Sequence, residues 1–395
     1  MVRYKIDDIT DDMLLGESLI THSGKVLLHA GYRVTQKYKQ RLKDLGYETL
    51  LIDVPGTEQV RPDETIVSPK THAELSASTE ESAAKIAKVM ARFRVDSRQE
   101  IHKFIFEHRR DLNQYIMNPT ISRQLETVLE EIMGQPDVVL NLAALKKTGG
   151  FFYAHSVNVA ITALCIGKKH SLPYEEMKQL GVGALNYHVG LMALPRELVR
   201  KQESFTEEEK KVYHQHTVLG HLMLAQNSQI SPNSSIVALQ HHELQNGKGY
   251  PLGLKGSNRP PKKDMSRTHM IHRFAEIVTV CDTYHSLISD HAGGDSTLIG
   301  GSIKKLISMS GLLLNRHIVK TLLAIVPVYP VGARVRVTEA VEPTLRRLGG
   351  VVAKDNPQEL SRPLLILYED MRGQRLKQPV MIDTADKRDI KFEMA

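Results

Sequence analysis

Residues 241–251 read HHELQNGKGYP, two adjacent histidines and a glutamate followed by a turn that closes on Gly249-Tyr250-Pro251. The pair follows the apolar run IVAL, in a region of helical spacing. Upstream, Thr206-Glu207-Glu208-Glu209 spells a capping box for a helix carrying His214, His216 and His221. Still further upstream His155 opens HSVNVAITALCIG, and downstream Asp282 ends the apolar run IVTVCD. Imidazole and carboxylate are the ligands that divalent metals such as Fe, Mn and Zn favour. A plainer reading competes: a histidine on an apolar helix face is more often a hydrogen-bonded core residue than a ligand. Adjacent histidines on one helix also face different sides. The set as a whole, with the glycine-proline turn, points to a site.

Outward from this stretch, residues 151–325 keep a helical pattern. Residues 73–150 are nearly free of breakers, and Ile86, Val89 and Met90 recur at helical spacing, which reads as a helical connector suited to a signalling or dimerisation stalk. Before it, PGTEQVRPDETIVSPKT reads as a linker. The N-terminal ESLITHSGKVLLHAG carries a hairpin signal around Ser23-Gly24, Thr35 to Gly46 reads as an amphipathic helix, and TLLIDV as a strand. From 326 on, short β-type runs alternate with turns. The expectation is a mainly α protein in four parts: a small α+β regulatory module (1–65), a linker and helical connector (66–129), a helical domain (130–325) and a β-rich C-terminal module (326–395).

The chain has 395 residues, 41% hydrophobic and 25% charged, with no Trp. That composition is ordinary for a globular protein with a sizeable aliphatic core. MVRYKIDDITDDM has no apolar signal core, and no run approaches a membrane span. Cys165 and Cys281 sit in apolar helical patterns, so buried thiols in a reducing cytoplasm are expected. The net charge of +7 is spread over doublets such as Lys168-Lys169 and Arg346-Arg347, without stacking aromatics. It suggests anionic ligands and argues against nucleic acid.

HHELQNGKGYP resembles the HHE-x-x-D-G-x-G-Y-P signature of HD-GYP domains, the helical HD-superfamily phosphodiesterases of cyclic di-GMP signalling in bacteria; Asn246 stands for the usual Asp. The resemblance runs in order over roughly 130–325, through HSVNVA, HTVLG, the GYP turn and VTVCDTYHSL, and extends to the β tail. It implies an all-helical HD core and a metal-dependent phosphodiester site. The implied ligands are His155, His216, His241, His242 and Asp282. The turn residues Asn246, Gly247, Gly249, Tyr250 and Pro251 would face substrate or a partner such as the cyclases that make cyclic di-GMP.

The sequence departs from the family at the name-giving pair. Against L-H-D-I-G-K it reads Asn186-Tyr187-His188-Val189-Gly190-Leu191. Anchored on Gly190, Tyr187 replaces His, His188 replaces Asp and Leu191 replaces Lys. A carboxylate can bridge two ions, whereas imidazole offers one lone pair and no negative charge, so His188 suits one metal only. Phe151, His285 and His291 stand where the family commonly has Glu, Asp and Arg. These changes together imply a degenerate HD-GYP protein that acts through nucleotide or protein binding, with one divalent metal per chain. Two alternatives stay open: an active cyclic di-GMP phosphodiesterase that uses His188 as a ligand, and a scaffold whose histidines are core residues. A homodimer through the connector is a further expectation.

Overall fold

The computed structural model describes residues 1–20, 26–44, 47, 49–60, 66–92, 98–140, 151–201, 203–262, 269–289 and 296–395; of residues 98, 99, 151–154, 289 and 296–300 only the backbone is described. The chain is mainly helical with sheets near both ends. Strands β1 (Val2–Lys5), β2 (Leu14–Leu15), β3 (Leu19–Ile20) and β4 (Val26–Leu28) precede helix α1 (Gln36–Asp44) and strand β5 (Thr49–Asp53). β5 lies between β1 and β2, and β3 pairs antiparallel with β4. That pairing is the hairpin expected around Ser23-Gly24, whose turn lies outside the described residues.

Helices α2 (Pro69–Met90), α3 (Arg98–Glu107), α4 (Arg109–Asn113) and α5 (Pro119–Gly134) follow. The start of α2 is capped by the Ser68 hydroxyl with proline next to it, and α5 by Asn118 in the same way. The helical domain continues with α6 (Phe151–Lys169), α7 (Tyr174–Asn186), a 3-10 turn at Val189–Ala193, α8 (Arg196–Arg200), α9 (Glu207–Ala225), α10 (Pro232–Gln240), α11 (Arg273–Ser289), α12 (Ser296–Met309) and α13 (Arg316–Leu323). The Thr206 capping box forms as expected at the head of α9. A five-stranded antiparallel sheet closes the chain: β6 (Arg334–Glu339), β7 (Gly349–Lys354), β8 (Leu364–Glu369), β9 (Arg375–Asp383) and β10 (Lys391–Met394), in the order β10-β6-β7-β8-β9.

Buried side chains fall into two apolar clusters. The first runs from Ile66 to Val326 and includes Leu75, Ile86 and Val89 of α2 with Leu125, Val128 and Leu129 of α5. Both helices pack against α6, and α2 also meets the 3-10 turn. The second cluster joins residues between Val2 and Val60 to residues between Val331 and Ile390. No helix among the described residues is long and apolar enough to cross a membrane.

A candidate metal centre built from four histidines

The buried helices α6, α7, α9, α10 and α11 bring the polar residues together. α9 projects His216 inward, where it is fully buried. α10 starts at the Ser231 cap and stops at Gln240, so His241 is its C-cap residue and His242 lies beyond it. This corrects the expectation that adjacent histidines diverge. The helix ends under them, and their rings converge with centroids 4.2 Å apart. The Thr279 hydroxyl of α11 donates to the His241 carbonyl at 2.8 Å and pins that end. His188 enters from the turn after α7. A Cβ on Gly190 would stand 1.9 Å from the His216 carbonyl oxygen, so glycine alone lets this turn lie against α9.

His188, His216, His241 and His242 each offer a ring nitrogen within 4.8 Å of the others. His216 Nδ1 lies 2.7 Å from the Tyr213 carbonyl and His241 Nδ1 lies 2.9 Å from that of Ala238. A carbonyl only accepts, so each Nδ1 carries the proton and each Nε2 the lone pair. Those two Nε2 atoms face each other at 3.2 Å. Facing lone pairs repel unless a proton or a cation lies between them. Burial pushes His216 down to about 4 and His241 well below the ordinary imidazole range, which disfavours the proton. His188 and His242 are pushed down by burial as well. His188 Nδ1 and His242 Nε2 are buried without a hydrogen-bond partner. Two nitrogens of one tetrahedral zinc sit roughly 3.4 Å apart, given a Zn–N length of about 2.0–2.1 Å. The four nitrogens form a group that could hold a metal ion.

Two expected ligands stand beside the cluster, outside the four. His155 Nε2 lies 2.7 Å from Asp282 Oδ1, and the Tyr187 hydroxyl donates to the same oxygen at 2.7 Å. Burial alone would raise the Asp282 carboxyl. The His155 hydrogen bond and the facing imidazoles outweigh it and hold the group well below the usual carboxylate range. Tyr187 is fully buried and stacks on His188 at 3.8 Å, and burial with the nearby carboxylate raises its phenol. His285 is a core residue bonded to the Thr162 hydroxyl at 2.8 Å, and burial lowers it to about 3. Leu191 is also buried in the core. The backbone of Phe151 begins α6 but its side chain lies outside the described residues, as does His291 entirely.

The turn is built against the same cluster. A Cβ on Gly249 would lie 2.4 Å from the His242 carbonyl oxygen, and Gly247 has φ +77°. The Asn246 carboxamide oxygen accepts from Lys248 N at 3.0 Å, which an aspartate would do equally, so Asp to Asn costs the turn nothing visible. Tyr250 points inward and stacks on His214 at 3.6 Å and on His242 at 4.7 Å, with Pro251 joined through a cis peptide. Glu243, which had no role assigned from sequence, accepts Leu252 N at 2.7 Å and Leu254 N at 2.8 Å and latches the turn shut. Its place in HHE was the available signal. The parts played by Tyr213 and His214 carried no such signal.

A family profile described as the HD domain matches residues 137–317. A cyclic di-GMP phosphodiesterase of Pseudomonas aeruginosa is 26% identical over 66% of this chain and 58% of its own length. Another of Borreliella burgdorferi is 26% identical over 45% of this chain and 44% of its own. The helical domain belongs to the HD-GYP family. The chain spans about half the length of these curated relatives. A solved HDG"Y"P protein from Bdellovibrio bacteriovorus matches 81% of this chain and 97% of its own at 16% identity and a TM-score of 0.41. In this HD-GYP domain Tyr187-His188 occupies the place of the name-giving pair, and the four histidines form a group able to hold a metal.

Proposed function

We propose that this chain serves cyclic di-GMP signalling as a nucleotide-binding or docking component, with one divalent metal in the four-histidine cluster and little or no hydrolysis. The observation that carries this reading is Asp282, whose Oδ1 accepts from Tyr187 and from His155 instead of standing among the cluster nitrogens. With His188 in the aspartate's place, no carboxylate among the described residues joins the four, and a second dication would meet little negative charge there to offset the first. Leu191 adds no positive charge for phosphate. When bound, the metal supplies Lewis acidity at the histidine cluster. His188, His216, His241 and His242 would hold it, and Tyr213 and Ala238 fix the ring orientations.

On this reading 1–65 is a regulatory module, 66–129 its connector, 130–325 the binding domain and 326–395 an accessory module. Since Tyr250 is stacked inward on histidines, docking at the turn falls to the exposed Lys248 and Leu252. Calorimetric titration of the metal-loaded protein with cyclic di-GMP, followed by product analysis under Fe, Mn and Zn, tests the proposal. Binding without turnover is expected. Turnover that Asp282→Ala abolishes would replace this reading with the second one, an active phosphodiesterase, which the intact convergence of four imidazoles favours.

A further inference from the structure

We propose that His214 is a stacking platform for a guanine base of the cyclic dinucleotide, at the outer end of a row of rings that starts on the histidine cluster. The inference rests on the cyclic di-GMP binding proposed above, whether or not hydrolysis follows, and names the residue that takes a base. The cluster has an inner and an outer flank. His216 and His241 are fully buried, whereas His188 and His242 are half-buried. From the outer flank the rings of His242, Tyr250 and His214 follow one another. The centroids of His242 and Tyr250 are 4.7 Å apart with planes at 24°, and those of Tyr250 and His214 are 3.6 Å apart at 10°. All three residues are half-buried, so the row runs along the accessible side of the cluster.

Tyr250 has a ring on each face and takes no base itself. Its backbone N donates to the His242 carbonyl at 3.2 Å, and Glu243 holds the turn behind it through Leu252 N and Leu254 N. His214 ends the row. One of its faces rests on Tyr250, and among the described residues no other ring stacks on it. It sits on α9 two residues before His216, so the helix that supplies a cluster nitrogen also fixes the platform. A phosphodiester held at the cluster carries each base one ribose away, which takes a base past His242 and Tyr250 to the outer face of His214. Histidine is among the aromatic side chains on which bases stack. Leu191 supplies no positive charge for phosphate, so the bases carry a larger share of the dinucleotide's affinity.

The full-length, metal-loaded chain would be titrated with cyclic di-GMP as the parent, His214→Ala, His214→Phe and His214→Trp, with metal per chain measured on each. His214→Ala is expected to weaken binding about 5- to 150-fold, the worth of one base stacked on an aromatic ring, with metal content unchanged. His214→Phe keeps the flat ring and should stay within about threefold of the parent, because stacking needs the face of the ring and not its nitrogens. The chain has no Trp, so His214→Trp sets a single indole at the platform. Its emission should be quenched by cyclic di-GMP and untouched by inorganic phosphate. A folded His214→Ala that binds like the parent overturns the proposal, as does a His214→Phe as weak as His214→Ala. A His214→Ala that loses its metal also overturns it, since His214 would then act by propping the cluster through Tyr250. So does a His214→Trp protein that binds the dinucleotide without quenching, an arm that holds even if His214→Ala fails to fold. A parent that binds no cyclic di-GMP overturns the binding reading and this inference together, whereas parent binding that no His214 variant alters overturns this inference alone.

Discussion

Gly190 and Gly249 each mark a contact that a single methyl group would abolish. A Cβ at residue 190 would meet the His216 carbonyl oxygen at 1.9 Å and Gly220 N at 2.6 Å, both backbone atoms that cannot swing aside. Gly190→Ala is expected to push the 3-10 turn off α9, to cost at least the ~1–3 kcal/mol of an overpacked core, and to draw His188 away from His216. Thermal melting and chelator competition check the two effects, and a variant unchanged in both would show that the turn does not lie so close. Tyr250→Ala removes a ring from between His214 and His242 and should cost about 0.5–1.5 kcal/mol beyond its lost burial. Metal affinity should fall with it; a loss confined to partner binding would place Tyr250 on the docking surface instead. Gly190 was legible in the sequence as the anchor of the HD register because a motif glycine keeps its backbone role. The Tyr187–Asp282 bond was not, since 95 residues separate the partners and only the packing of the helices joins them.

Among the elements, α2 packs into the helical core against α5, α6 and the 3-10 turn that carries His188 into the site. The periodicity of Ile86, Val89 and Met90 revealed the helix but not where its apolar face would go. It packs into the same cluster as α6, with Leu75 fully buried. His72 reaches from α2 to Asn158 on α6 at 2.7 Å, three residues after His155. Its neighbours Ser68 and Thr71 hold Glu131 of α5, through Ser68 N and the Thr71 hydroxyl at 2.6 Å each. Leu75→Ala is expected to lower unfolding free energy by about 2–5 kcal/mol in denaturant titration, as for a buried leucine of the domain core. A stalk standing off the domain would give a change near zero. The end of α10 was also hidden from sequence reading. Periodicity ran through IVAL into the histidine pair, and only the stop at Gln240 makes both rings converge.

At the scale of the whole molecule, the two ends of the chain share one core. Val2, Ile6, Leu50 and Ile52 pack with Val335, Val351, Leu365 and Leu367 in a single cluster. Arg3 N donates to the Gly332 carbonyl at 2.7 Å, and the Arg375 guanidinium donates to the Pro55 carbonyl at 3.1 Å. Strand and turn patterns announced each sheet separately, but contacts across some three hundred residues leave no local trace in sequence. Deleting residues 331–395 is therefore expected to strip hydrogen-exchange protection from β1 and β5, and retained protection would mean that the N-terminal module stands alone.

The central claim is that this HD-GYP domain holds one metal, because the Asp282 carboxylate is engaged by Tyr187 and His155 and His188 cannot bridge two ions. Elemental analysis of the full chain purified without oxygen, expressed as metal per chain, tests it most directly. One firmly bound divalent ion per chain is the expected result. Two or more would contradict the account and point to a working phosphodiesterase centre with His188 as a ligand.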